Sequence, residues 1–264
     1  MKRVGASGTQ FLWLSFIVGA AVFAPFGIWS LLHEGIDPVR WMPLAAVSGL
    51  LQVGYFLLLQ RGYRLGDVSV VYPLARGTGP LLSVIFAIVL LGERPGLIAL
   101  AGAVVVVAGV VVIGMAGNRA SRGTARAGIL YGLAIGVLIA AYTLWDSAAV
   151  TVWAMPVLGL YWGSVLVQSI VLAPVALRDR PLILSTVRSH WLAVILVGVL
   201  SPLAYILILL AIQQAPVSII APAREVSVVL VGLAGWLIFR EPHPVQRLIG
   251  AGIVLAGVGL LAAG

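Results

Sequence analysis

Short polar segments divide the amino-acid sequence into nine apolar runs. An α-helix needs about 20 apolar residues to cross the hydrocarbon core of a bilayer, so each run predicts one membrane-spanning helix. The predicted spans are residues 10–32, 41–60, 68–92, 96–116, 128–150, 153–177, 191–213, 216–239 and 247–263. No segment between them is long enough to fold as a soluble domain. The pattern predicts an all-α polytopic membrane protein that acts within the bilayer or at its surface.

The composition agrees with a membrane protein and excludes several other classes. Hydrophobic residues make up 62% of the chain and charged residues 9%, and the mean hydropathy is +1.15, far from the values of soluble domains. The chain has no cysteine, which excludes disulfides and thiolate metal ligands. The isoelectric point near 10.6 does not indicate nucleic-acid binding, because the basic residues lie singly or in small groups at span ends.

The distribution of lysine and arginine predicts the orientation of the chain. Twelve of these residues lie on the side of the bilayer that holds the N-terminus, and two, Arg40 and Arg94, lie on the other side. Positive charge is in excess on cytoplasmic segments. The bias predicts a multi-pass protein of the bacterial cytoplasmic membrane with a cytoplasmic N-terminus and, after nine spans, an outer C-terminus.

Two segments of the chain are similar to each other, which indicates an internal repeat. The sequence GDVSVVYPLARG at 66–77 resembles APVSIIAPARE at 215–225, with an offset of 149 residues that becomes 148 after a one-residue gap. The shorter offset also pairs Glu93 with Glu241 and Gly102 with Gly250. The matching helices are the third and the eighth, which cross the membrane in opposite directions. An inverted repeat, typical of secondary transporters, is therefore predicted, with halves at 1–118 and 127–264.

Several segments resemble the EamA-type branch of the drug/metabolite transporter superfamily. They include GYFLLLQRGYRLGDVSVVYPLARGTGPLL at 54–82, IAAYTLWDSAAV at 139–150, and the duplicated helix pair that ends in Glu-Arg or Glu-Pro before a Gly/Ala/Val-rich helix. The resemblance implies an inverted-repeat helical bundle of the drug/metabolite transporter type. It implies a secondary transporter, often an exporter, of a small metabolite, an amino-acid-like compound or a drug. Separately, the sequence shows no ATP-binding motif, and no cofactor is expected.

The chain departs from the family pattern in its first half. Family members carry two repeats of five helices, whereas the first repeat here has four predicted helices and the second has five. Alignment from the end of the repeat assigns the missing helix to the first position. Either the native coding region extends upstream, which is our expectation, or the protein is a nine-helix variant. The outer C-terminus also differs from the ten-helix form, in which both termini are cytoplasmic.

Four ionisable side chains lie inside spans, where each costs about 2.5 to 3.5 kcal/mol at a helix centre and normally faces a cavity or a partner. They are Arg76, Asp146, Arg224 and Glu225. Aromatic and amide side chains form polar stripes on the same and neighbouring spans, which indicates a wet central cavity. The predicted substrate-binding or gating residues are Arg76, Tyr72, Gln52, Tyr55, Tyr142, Trp145, Asp146, Tyr205, Arg224 and Glu225.

Pro73 and Pro222 lie inside spans and predict bent helices, because proline removes a backbone hydrogen bond. Arg76 and Glu225 each follow their proline by three residues, so the two repeats present a cation and an anion from comparable positions. Arg76 is predicted to bind an anionic group of the substrate or an internal acid, Glu225 or Asp146. The alternative is a structural arginine that is paired with one of these acids and binds no ligand.

Other functions find less support in the sequence. No metal-ligand spacing, nucleophile elbow or phosphate-binding loop occurs, so catalysis and a metal site are not predicted, although an intramembrane enzyme stays an alternative. A membrane scaffold or sensor that transports nothing is the second alternative. The expected partners are a small-molecule substrate and the lipid bilayer. Transport would be driven by a gradient, through either proton coupling or exchange. In a proton-coupled cycle, Glu225 or Asp146 would carry the proton.

Overall fold

A computed structural model describes residues 8–34, 37–66, 68–114, 122–230 and 244–264. The regular structure of these residues is helical, as predicted. The helices are α1 (Thr9–His33), α2 (Pro38–Leu65), α3 (Val68–Leu90), α4 (Leu97–Gly114), α5 (Arg122–Thr151), α6 (Val157–Ala176), α7 (Arg180–Ile212), α8 (Val217–Ala223) and α9 (Pro244–Ala263).

Six of the described helices are long and apolar enough to cross a membrane, namely α1, α2, α3, α5, α6 and α7. Two shorter apolar helices lie at Leu97–Ile113 and Leu248–Ala263. The chain is therefore a multi-pass membrane protein. The number of nine spans stays a prediction.

Helix α7 begins earlier than the predicted span at 191–213. The Asp179 carboxylate accepts a hydrogen bond from the backbone N–H of Leu182 at 3.0 Å and so caps the first turn, where Pro181 is tolerated. His190, with φ −137° and ψ 21°, interrupts the helical geometry within α7. The hydropathy pattern identified only the part after this kink, because the residues before it are more polar.

Helix α8 ends one residue after Pro222, and residues 226–230 are helical again. Arg224 and Glu225 form the turn between these segments. The N–H of Glu225 donates to the Pro222 carbonyl at 3.0 Å, and that of Ser227 donates to the Arg224 carbonyl at 3.2 Å. These bonds have the three-residue spacing of a tight turn instead of the four-residue spacing of an α-helix. In contrast, α3 runs as one helix through Pro73 and Pro80.

The described residues form two compact units. The first unit comprises Met1–Gly54 and Trp145–Gln213, and so contains α1, the first part of α2, the last part of α5, α6 and α7. Helix α1 packs against α6 and α7. The approach of α1 to α7 is close, since a Cβ atom on Gly198 would lie 2.7 Å from the Ser15 carbonyl oxygen.

Tryptophan side chains connect the helices of this first unit. The indole N–H of Trp13 on α1 donates to the Ser169 carbonyl on α6 at 2.9 Å, and Trp162 on α6 donates to the Ala20 carbonyl on α1 at 3.0 Å. A buried indole needs such an acceptor, because an unpaired donor in apolar surroundings is costly. These bonds fix the alignment of α1 with α6.

The second unit comprises Tyr55–Leu144 and Gln214–Gly264, and so contains the last part of α2, α3, α4, the first part of α5, α8 and α9. Helix α4 packs against α9 and α3, and α3 packs against α8. Buried valines fill the core between these helices. They include Val84, Val106, Val110, Val228 and Val254.

Candidate functional site

Glu225, in the turn after α8, is the centre of a charged cluster in the second unit. Its side chain is fully buried. Its Oε1 atom accepts hydrogen bonds from Arg224 Nε at 3.3 Å and from Arg76 Nη1 at 3.5 Å. The packing of α3 against α8 brings Arg76 to this carboxylate across 149 residues of sequence. We call Arg76, Arg224 and Glu225 the arginine cluster.

The two arginines of this cluster have different surroundings. The Arg224 side chain is 8% exposed, and its Nη1 also donates to Thr143 Oγ1 on α5 at 3.3 Å. The Arg76 side chain is 33% exposed, and its Cζ lies 5.8 Å from the centre of the Tyr72 ring, within range of a cation–π interaction. Because two cations share one acid, the arginine cluster has one positive charge in excess. Arg76 is the most exposed of its three side chains.

Tyr55 and Tyr142 also lie in the second unit. Their rings meet edge to face, with centroids 5.7 Å apart. Both pack against the apolar cluster formed by Val71, Ala75, Ile135 and Ile139 of α3 and α5.

A second polar cluster lies in the first unit and is centred on Asp146 of α5, which is 1% exposed. Its Oδ2 atom accepts hydrogen bonds from Tyr205 Oη on α7 at 2.5 Å and from Gln52 Nε2 on α2 at 3.2 Å. Gln52 Nε2 also donates to Ser48 Oγ at 3.1 Å, and Gln52 Oε1 accepts from Gln168 Nε2 on α6 at 3.0 Å. We call these five residues the aspartate cluster.

Trp145, the neighbour of Asp146, is half-buried. Its indole N–H donates to the Leu44 carbonyl on α2 at 3.0 Å, and its ring meets that of Trp153 edge to face at 5.2 Å. These contacts connect α5 to α2 beside the aspartate cluster.

Three neutral polar residues of these contacts were not in the predicted set of site residues, namely Ser48, Thr143 and Gln168. They lie in helical sequence, where spacing alone does not show which face meets a charged partner. Glu93 lies outside both clusters. Glu93 was predicted only to mark a helix end. Its carboxylate accepts the N–H groups of Val217 at 2.8 Å and Ser218 at 2.9 Å, so it caps the first turn of α8 from the segment that follows α3.

Among the described ranges, no three histidine, aspartate or glutamate side chains are grouped in a way that could hold a metal ion. The side chains of the two clusters offer hydrogen bonding, charge pairing and proton exchange by carboxyl groups. This chemistry suits the recognition of a solute.

Comparison with known proteins agrees with this description. The model of the EamA-like transporter family matches residues 1–115 and again residues 126–263. The chain is 35% identical over 78 residues to the probable 4-amino-4-deoxy-L-arabinose-phosphoundecaprenol flippase subunit ArnE of Pseudomonas syringae pv. syringae, a match that covers 30% of this chain and 68% of that protein. A crystal structure of another protein, 21% identical, has a TM-score of 0.77 over 98% of this chain and 91% of that chain, so the two share a fold. Since the family model covers nearly the whole chain, this multi-pass protein belongs to the EamA-like transporter family.

Proposed function

We propose that this transporter moves a small solute with an anionic group, and that Arg76 binds the anion. The arrangement of the arginine cluster is the main support for this proposal. Arg224 and Glu225 are buried together, whereas Arg76 is one-third exposed and shares a carboxylate that Arg224 already neutralises. A guanidinium keeps its charge when it is partly desolvated and can hold a carboxylate or phosphate through two parallel hydrogen bonds.

The mechanism we propose is alternating access between two inverted repeats, at 1–118 and 127–264. Contacts within each compact unit support it, because α1 packs against α6, α3 against α8 and α4 against α9, each pair being five helices apart. Glycine contacts between α4 and α9 are reciprocal. Gly102 approaches Gly257, and Gly109 approaches Gly250, while the repeat makes Gly102 equivalent to Gly250 and Gly109 to Gly257. Such reciprocity is what a two-fold relation between repeats produces.

The relative from P. syringae is named for a phosphate-bearing lipid-linked sugar, so phosphate esters belong among the anions to be tested. We propose export as the direction, on the basis of the family resemblance alone.

The test is solute flux in vesicles of phosphatidylethanolamine and phosphatidylglycerol that contain the purified chain. The probes are L-lactate, L-glutamate and glucose 6-phosphate, with the cation choline as a control. We expect flux of at least one anion and none of choline. Arg76→Lys keeps the positive charge but loses the planar guanidinium that makes two parallel hydrogen bonds to an anion. A hydrogen bond to a charged group contributes about 1.5 kcal/mol, so we expect a transport rate about tenfold lower.

The matched control is Arg61→Lys, which changes an exposed arginine near the end of α2 and is expected to leave the rate unchanged. Thermal unfolding of each variant is measured first, so that a folding defect is recognised. The proposal is wrong if stable Arg76→Lys protein transports at the wild-type rate. It is equally wrong if no anion of the panel moves faster than in protein-free vesicles.

A further inference from the structure

Asp146 differs from Glu225 in the charge of its partners. Both acids are almost fully buried, but Glu225 is paired with two arginines. Each acid has one buried oxygen atom without a hydrogen-bond partner, Oδ1 of Asp146 and Oε2 of Glu225. Among the described residues, however, Asp146 forms no ion pair. The positive charge that would compensate an ionised Asp146 is therefore missing from this part of the described structure.

The surroundings of Asp146 hold its carboxyl group mainly through Oδ2, whereas Oδ1 is buried without a hydrogen-bond partner. Tyr205 on α7 and Gln52 on α2 both donate to Oδ2, and Ser48 on α2 also contacts the carboxyl group. Gln168 on α6 donates to Gln52 Oε1, which keeps the amide nitrogen of Gln52 directed at Asp146 and Ser48. Tyr205 is the titratable side chain in hydrogen-bond contact with Asp146, while the α2 and α6 side chains of the cluster are neutral.

A carboxyl group in these surroundings suits the reversible binding of a proton. Burying an ionised carboxylate without a cation is costly, and ionisable residues inside membrane spans commonly act in proton relays. The bonds to Oδ2 are available to the carboxylic acid and to the carboxylate alike, because Oδ2 accepts in both. A proton on Oδ1 therefore changes the charge of the cluster without dismantling it.

We propose that Asp146 binds and releases the proton that couples solute movement to a proton gradient. In each cycle one proton from one aqueous phase binds to Oδ1 and converts the carboxylate into a neutral carboxylic acid. The same proton leaves to the opposite phase and restores the carboxylate, and no other bond is made or broken. This inference rests on the proposed transport function, because coupling has no meaning without a transported solute.

Proton binding is tested without any solute by infrared difference spectroscopy of the full chain in lipid vesicles. The spectra compare mildly alkaline with mildly acidic buffer, and the readout is the carbonyl stretch of a protonated carboxyl group that exchanges slowly in D2O. We expect this band in the wild type and in Asp179→Asn, which changes an exposed aspartate. We expect its loss in Asp146→Asn. A slowly exchanging band that survives in folded Asp146→Asn protein overturns the inference.

Coupling is tested in the same vesicles with the panel of L-lactate, L-glutamate and glucose 6-phosphate. We expect Asp146→Asn to abolish accumulation driven by an imposed pH gradient, while exchange of internal for external solute stays within about twofold of the wild type, since asparagine has the same shape and can still accept at the Oδ2 position. Asp146→Glu keeps a carboxyl group and should retain part of the gradient-driven accumulation. Wild-type accumulation by Asp146→Asn overturns the inference.

A second variant covers the case in which Asp146→Asn does not fold. Tyr205→Phe removes a donor to Oδ2 and keeps the carboxyl group, so the frequency of the slowly exchanging band must shift. An unchanged frequency would mean that the band does not belong to Asp146.

The experiments distinguish failure of the anion-transport proposal from failure of the proton-coupling proposal. If no panel solute moves but the Asp146 band is present, anion transport is wrong and proton binding stands. If anions move and Asp146→Asn leaves the gradient-driven component intact, coupling through Asp146 is wrong.

Discussion

The Arg76 guanidinium and the Glu225 carboxylate lie 3.5 Å apart, and their separation of 149 positions in the sequence equals the offset at the start of the internal repeat. Each residue also follows the proline of its repeat, Pro73 or Pro222, by three positions. Residues related by a two-fold axis can contact each other only where both lie near that axis. With the inverted repeat that we propose, the pair of opposite charges marks the axis within the second unit. It also favours an alignment in which the offset of 149 extends through residue 76, so that Glu225 is the counterpart of Arg76, and the one-residue gap lies between residue 76 and Glu93.

The first prediction concerns the stability of this pair. Glu225→Gln removes the acid that two arginines share, and leaves Arg224, which is 8% exposed, as a buried cation without its carboxylate. Removal of one member of a buried pair costs about 3 to 5 kcal/mol. We expect a lower midpoint of thermal unfolding in detergent. Glu34→Gln, at the exposed C-terminal end of α1, is the control and should leave the midpoint unchanged. Equal midpoints for the two variants would show that Glu225 does not stabilise the arginines.

The long apolar helices were the part of the fold that the sequence predicted well. The predicted span 10–32 compares with α1 at Thr9–His33, and 153–177 with α6 at Val157–Ala176. Bilayer thickness fixes the length of such runs, so hydropathy suffices to find them. Pro222 predicted a bend in this span but not the turn at Arg224 and Glu225, because neither a proline nor a hydropathy pattern distinguishes three-residue from four-residue hydrogen bonding.

The candidate site was predictable in its charged members but not in its pairing. Arg76, Asp146 and Glu225 are conspicuous because each interrupts an apolar run. The sequence left open whether Asp146 or Glu225 pairs with Arg76. That choice depends on the rotation of each helix about its axis and on which helices are neighbours. The contact of α3 with α8 brings Glu225 to Arg76, whereas the partners of Asp146 are Gln52 and Tyr205.

The second prediction concerns Glu93 as a cap of α8. Glu93→Gln removes the negative charge that accepts two N–H groups at the start of this helix, an interaction worth about 1 to 2 kcal/mol from capping and the helix dipole together. We expect amide hydrogen exchange in Val217–Ala223 to become about 5 to 30 times faster. The comparison is with Val157–Ala176 in the same sample, where exchange should not change. Uniform acceleration in both helices would instead indicate general destabilisation.

The third prediction concerns orientation. The excess of basic residues on one side predicts that the connection between α6 and α7 is cytoplasmic and that the C-terminus is outside. The chain has no cysteine, so Arg178→Cys and Ala263→Cys, both at exposed positions, each supply a single reporter. In intact cells a membrane-impermeant maleimide should label the cysteine at 263 and spare the one at 178. The opposite labelling would invert the assignment.

The last prediction uses two glycines of α9 that differ only in their surroundings. A Cβ atom on Gly257 would lie 2.6 Å from the backbone nitrogen of Val106 and 2.9 Å from the Gly102 carbonyl oxygen, whereas a Cβ on Gly259 meets nothing within 4 Å. The contact at Gly257 is with backbone atoms, so Gly257→Ala must separate α4 from α9. Overpacking of this kind costs about 1 to 3 kcal/mol.

Gly259→Ala is the matched control, because both changes replace a helical glycine by alanine and alter helix propensity equally. On propensity alone alanine gains about 0.5 to 1 kcal/mol over glycine in a helix. We therefore expect Gly259→Ala to raise the midpoint of thermal unfolding slightly and Gly257→Ala to lower it. Because Gly109 and Gly250 make the reciprocal contact, Gly109→Ala should lower the midpoint by a similar amount. If Gly257→Ala matched Gly259→Ala, the close approach of α4 to α9 would not be a feature of the folded protein, and the reciprocal contacts would lose their support for the repeat.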